Sequence, residues 1–162
     1  MREFFPESDF GVDPLVPNKE QAIWLINEVG ICHAALGDLQ EASNYLKRVS
    51  RKVETEEWWI EAATSRTNLA AVECLLGNLS KAGEDAVAAE GSAARAPRSS
   101  NRQRLLTRAA AIQGWVMLWR GDANQGVTFF ENADQRSGGA DVVDWQTSAE
   151  GIRYGDAVPR QN

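Results

Sequence analysis

Apolar residues recur every three or four positions through most of the chain, the period of a helix with one buried face. Asn18 offers an N-cap, and Lys19 to Leu36 carries apolar residues at Ala22, Ile23, Ile26, Val29, Cys32 and Leu36. Gly37 stops this helix, since glycine takes the left-handed terminal conformation without strain. Asp38 then caps a second helix, with Glu41 three residues on to complete a capping box. Leu39, Ala42, Tyr45, Leu46 and Val49 carry that helix to about Val53. The pattern is written twice more. Thr55 or Glu56 opens a long helix through Trp58, Trp59, Ala62, Leu69, Val72 and Leu76, stopped by Gly77, and its partner runs from Leu79 to about Ala94. Pro97 to Asn101 break and recap the chain before a third long helix with Leu105, Leu106, Ala109, Ile112, Val116 and Leu118. After Gly121 a shorter helix carries Val127, Phe130 and Ala133 as far as Ser137-Gly138-Gly139. Nothing alternates at period two, so the expectation is an all-α chain without a sheet.

The turn glycines 37, 77 and 121 stand 40 and 44 residues apart, each followed by Asp or Asn. A two-helix unit repeated at this period predicts an α-solenoid, a class that mostly binds other proteins. The predicted hairpins span about 18–54, 55–97 and 98–137. Residues 1–17, with Pro6, Gly11, Pro14 and Pro17, form an extended lead-in whose Phe4, Phe5 and Phe10 dock on the first helices. Residues 138–162 form a tail, in which Ala140 to about Tyr154 adds a C-terminal cap helix bearing Val143 and Trp145.

Aligned on the turn glycines, the units resemble the tetratricopeptide repeat, at longer than its common length. Seven positions before each glycine stand the small residues Gly30, Ala70 and Gly114, and five after it stand Ala42, Ala82 and Gly126. The bulky position four further on is Leu46, Ala86 and Phe130, and the closing one is Val49, Ala89 and Ala133. Small residues let neighbouring helices approach, while bulky ones fill the space between successive pairs. The resemblance covers about Asn18 to Arg136. It departs from the family where a large aromatic is expected, at Ile26, Arg66 and Ala110, and where a buried tyrosine is expected, at His33, Glu73 and Met117.

The resemblance implies three antiparallel hairpins whose first helices line a concave groove for a peptide. Carried over position by position, the groove residues are Trp24, Asn27 and Ile31, then Thr64, Thr67, Ala71 and Cys74, then Arg108, Ala111, Trp115 and Leu118. Only Arg108 is cationic in that set, so the family's basic clamp for a C-terminal carboxylate is not recognisable. The groove is expected to be apolar, with tryptophans at both ends. Trp115 and Trp119 share a helix face, so one fills the core while the other reaches the groove edge.

Charge sharpens the alternatives. Between Gly91 and Gly121 there are six arginines and no acid, whereas Glu54, Glu56, Glu57 and Glu61 cluster where the second long helix opens. Lateral salt bridges between these helix starts are the plain expectation. Arg102 and Arg104 at a helix N-terminus oppose its dipole, which keeps an anionic ligand at Arg98, Arg102 and Arg104 as an alternative. Self-association through Trp58, Trp59 or an open terminal repeat is another.

The chain holds 162 residues, enough for one domain, with a net charge of −6 that disfavours nucleic-acid partners. No apolar run has membrane-spanning length and no charged-then-apolar leader opens the chain, so a cytoplasmic location without membrane contact is expected. Two cysteines in apolar helical contexts make a disulfide framework improbable. His33 is the sole histidine, no metal-ligand spacing occurs, and Ser137-Gly138-Gly139 lacks the strand and lysine of a phosphate loop. The expected function is therefore non-catalytic, without cofactor or metal: binding of a protein or peptide segment. The abrupt tail and few repeats also fit a piece of a longer protein, such as the sensor or scaffold part of a multidomain signalling protein.

Overall fold

The computed structural model describes residues 2–137, which form six α-helices and no strand. They are α1 (Lys19–Leu36), α2 (Leu39–Thr55), α3 (Trp59–Leu75), α4 (Leu79–Arg95), α5 (Ser100–Trp119) and α6 (Ala123–Ser137). Each helix packs on the next, and α3 also touches both α1 and α5. The expected cap helix lies outside the described residues.

The turn glycines act as their sequence context requires. Gly37, Gly77 and Gly121 have φ of 85°, 77° and 86°. At each, the glycine N–H and the following N–H donate back into the helix: Gly37 to the Ala34 carbonyl at 3.1 Å and Asp38 to His33 at 2.9 Å, with the same pair at the other two turns. This is the Schellman closure, which satisfies carbonyls a helix end would otherwise leave open. The expected capping box at Asp38 does not form. With ψ at 57° the Asp38 side chain makes no cap bond and stands instead 3.4 Å from His33 Nδ1. Asn18 does cap α1, accepting from the Glu20 N–H at 2.7 Å, and Ser99 caps α5 through the Arg102 N–H at 3.1 Å.

The joint between α2 and α3 corrects the sequence expectation. The second helix runs on to Thr55, and the same closure is made without glycine: Glu57, at φ 58°, donates to Glu54, and Trp58 donates to Val53. Glu56 and Glu57 thus end α2, where the helix dipole disfavours acids, instead of opening α3.

Packing follows the small-residue positions. A Cβ built on Gly114 would lie 3.0 Å from the Gly126 carbonyl oxygen and 3.1 Å from the Phe130 ring, so α5 and α6 meet backbone to backbone. Gly30 lies under Leu46 in the same way, with Leu46 Cγ at 3.0 Å. In the lead-in, two 3-10 turns (Arg2–Phe4 and Pro6–Ser8) bury Phe5 among Ile23, Ile26, Val49 and Val53, with Phe10 packed beside it. Phe4 remains exposed, so two of the three expected phenylalanines dock. Arg48 and Lys52 hold this segment through Asp13, at 2.5 and 2.7 Å.

Polar ties run from helix to helix across the core. Glu73 of α3 has no exposed surface; Lys47 approaches it at 2.6 Å, and the Ser43 hydroxyl and Asn78 amide donate to it at 2.7 Å each. Burial pushes its carboxyl up, but the hydrogen bonds from Lys47, Ser43 and Asn78 together hold it below the ordinary value. Arg66 of α3 bridges Glu54 of α2 and Asp85 of α4, and burial raises the Asp85 carboxyl despite that partner. Glu90 of α4 receives Gln113 of α5 at 3.0 Å and Arg136 of α6 at 2.7 Å.

Candidate functional site

α1, α3 and the start of α5 enclose a cleft of about 390 Å³. Trp24 and Asn27, three residues apart on α1, form one wall, and Ile60 and Thr64, four apart on α3, form the other. Ile23 and Val49 lie at its base, and Asn101 from the first turn of α5 closes one end. Trp24 is 60% exposed, the most open tryptophan among the described residues. Asn27 is only 7% exposed and accepts a hydrogen bond from the Asn68 amide at 3.3 Å, which ties the two walls together. The Thr64 hydroxyl donates to the Ile60 carbonyl at 2.8 Å, fixing its methyl and oxygen relative to the cleft.

Three of the groove residues expected from the sequence therefore meet in this cleft: Trp24, Asn27 and Thr64. Ile31 is on the exposed surface of α1, outside the lining. Thr67 is fully buried, its hydroxyl donating to the Ala63 carbonyl at 2.6 Å. Ala111, Cys74 and Trp115 lie in a core cluster with Ala70, Ile112 and Phe130, against which Ala71 and Leu118 pack. Trp115 is 2% exposed, so the expectation of a tryptophan at each end of an open groove is corrected. The reason is that α5 has neighbours in α3, α4 and α6, and its expected groove face is enclosed where α1 leaves its own open. Trp119, half-exposed, meets the Trp115 ring edge-on at 5.1 Å; Trp115 fills the core as expected of one of the pair, but Trp119 does not line the cleft. Arg108 is half-buried on α5 and does not line the cleft.

Sequence reasoning missed Glu20, Gln21, Ile60, Glu61 and Asn101, all of which line the cleft. Helical spacing held the signal: Glu20 is four residues before Trp24, and Glu61 three before Thr64.

At the start of α5, the buried Nε of Arg102 has no hydrogen-bond partner among the described residues. Arg98 and Arg104 are exposed, Arg102 is half-buried, and Arg104 donates to the Asn101 side chain at 3.3 Å. Two of the clustered acids find other bases: Glu54 pairs with Arg66, and Glu56 with Lys19 at 2.9 Å. Arg95 lies over the Trp59 ring at 4.8 Å, and Trp58 packs on the first-hairpin core, so both adjacent tryptophans are engaged within the chain.

His33 is half-buried, stacked on Tyr45 with ring centroids 5.3 Å apart and met edge-on by Phe10. Among the described residues no group of three His, Cys, Asp or Glu side chains could hold a metal ion, and no helix is long and apolar enough to cross a membrane. No family model, curated protein or solved structure matches the chain.

Proposed function

We propose that the chain is a tetratricopeptide-like α-solenoid that binds a segment of another protein at the cleft between α1, α3 and α5, without catalysis. The observation that carries this reading is Trp24, a large aromatic side chain left 60% exposed at the mouth of a cleft with an apolar base. Covering about 100 Å² of it would contribute about 2–3 kcal/mol, enough to make it an anchor. Support for the repeat reading comes from the three glycine closures at corresponding positions and the close crossings at Gly30 and Gly114.

Association of two copies is the second reading, favoured by exposed apolar side chains on the lead-in, Leu15 at 73% above all. It predicts a mass that rises with concentration. An anionic ligand at Arg98, Arg102 and Arg104 draws less support, because the Ser99 hydroxyl already caps the helix and Arg104 is turned to Asn101.

The test is capture from a lysate of the source cells on wild-type chain and on Trp24→Ala/Thr64→Arg, which strips the anchor and fills the cleft. A protein retained by the wild type and lost from the folded variant is the expected result. Identical retention on both would move the binding surface elsewhere.

A further inference from the structure

The cleft between α1, α3 and α5 has an apolar base but carries charge of one sign. Glu20 lies one helical turn before Trp24 on the same face of α1, and Glu61 lies in the first turn of α3 on the opposite wall. No lysine or arginine among the described residues lines the cleft. Of the nearby bases, Lys19 pairs with Glu56 at 2.9 Å, while Arg104 donates to the Asn101 side chain at 3.3 Å, at the α5 end of the cleft. Two carboxylates and an exposed indole therefore border one apolar depression.

We propose that this cleft takes a lysine or arginine side chain from an extended basic segment of a partner protein. The proposal rests on the groove reading above and adds the chemistry of the guest. The guest's aliphatic stem would lie on Ile23 and Ile60, and its cationic head would sit by the Trp24 indole with Glu20 and Glu61 on either side. Each part of such a side chain finds its complement: methylenes on apolar surface, charge on carboxylate and on the negative face of an aromatic ring. An acidic segment would meet two carboxylates with no base in the lining to offset them. The chain's excess of 23 acids over 17 bases steers basic segments towards it at low ionic strength.

The experiment is an NMR titration of the isotope-labelled full chain, following the Trp24 indole N–H, which is assigned by its loss in Trp24→Phe. The probes are short capped peptides in which alanine alternates with lysine, glutamine or glutamate. The lysine peptide should move the indole resonance and saturate, the glutamine peptide should bind more weakly, and the glutamate peptide should leave it in place. Glu20→Gln/Glu61→Gln should weaken the lysine peptide about tenfold, the loss of two partly exposed ion pairs. Both glutamates are exposed, so these variants keep their helicity, which circular dichroism checks. Glu20→Lys/Glu61→Lys should reverse the preference towards the glutamate peptide. Equal binding of the lysine and glutamine peptides, or unchanged lysine binding in Glu20→Gln/Glu61→Gln, overturns the cationic guest and leaves the groove reading intact. If no peptide moves the indole while lysate capture still depends on Trp24, the cationic guest alone fails; if that capture is absent too, both fail.

Discussion

Replacing Lys47 with methionine removes the charged partner of a carboxylate that has no exposed surface. In the wild type Glu73 receives Lys47 at 2.6 Å, with Ser43 and Asn78 each at 2.7 Å. Breaking a buried ion pair from one side typically costs 3–5 kcal/mol, because the remaining charge stays buried without compensation. Lys47 is itself 34% exposed, and two neutral donors remain on Glu73, which places the loss near the low end, about 3 kcal/mol at neutral pH. For a chain of this size that is a melting-temperature drop of about 6–12 °C. The pH dependence is more discriminating than the size. With Lys47 present, the Glu73 carboxyl is held below its ordinary value, so its contribution is present above the unfolded pKa and is lost as pH falls through the folded one. Without Lys47, burial is opposed only by the neutral donors Ser43 and Asn78, so the folded pKa is expected above the unfolded one. Protonation then relieves the buried charge, so the variant regains stability as pH falls. The stability difference between wild type and Lys47→Met, from urea unfolding followed by circular dichroism, should therefore shrink steadily from pH 7 towards pH 4.5. A difference below about 1 kcal/mol, or one that does not change across that range, would refute this electrostatic reading of the core.

Three further outcomes follow from packing and backbone geometry. Trp115→Ala should destabilise by about 3–5 kcal/mol, whereas Trp24→Ala should stay within about 0.5 kcal/mol of wild type in the same urea titrations; equal effects would contradict the assignment of one to the core and the other to the cleft. Gly114→Val, whose Cβ would meet the Gly126 carbonyl oxygen at 3.0 Å, should lower the melting temperature by an amount equivalent to about 2–3 kcal/mol, and an unchanged melt would mean α5 and α6 are further apart than described. Glu57→Gly should raise stability by about 1 kcal/mol, since it relieves a left-handed backbone at φ 58° and removes an acid from a helix C-terminus; a fall in the melting temperature would argue against that conformation.

The six helices were legible because their signals are local. Apolar period and a glycine followed by Asp or Asn were enough to place three of the closures, and Pro97 with Ser99 placed the α4–α5 break. The α2–α3 joint was not legible, because Glu57 adopts the left-handed conformation without the residue type that announces it. Asp38 looked like an N-cap, but the choice between capping and the His33 side chain depends on a rotamer that spacing does not encode. Glu73 stands where the resemblance expects a buried tyrosine, and its setting was not legible because Lys47 and Ser43 come from α2, so only packing brings them together. The cleft was half legible. Trp24, Asn27 and Thr64 were carried over from the resemblance to the tetratricopeptide repeat, whereas Trp115, carried over in the same way, was misplaced because a repeat position gives the face of a helix and not how many neighbours cover it.

The most direct measurement is photo-crosslinking in source-cell lysate, with a benzophenone side chain placed at position 24 in one chain and at position 87 in another. Trp24 and Val87 are equally open at 60% exposure, but Trp24 stands in the α1–α3–α5 cleft and Val87 lines a separate depression between α4 and α5, so the pair compares the two candidate surfaces. A protein-binding cleft predicts a discrete crosslinked partner from position 24 that is absent from position 87 and is competed away by unlabelled wild-type chain. The same partner from both positions, or a crosslink from position 24 only to a second copy of the chain, would contradict it.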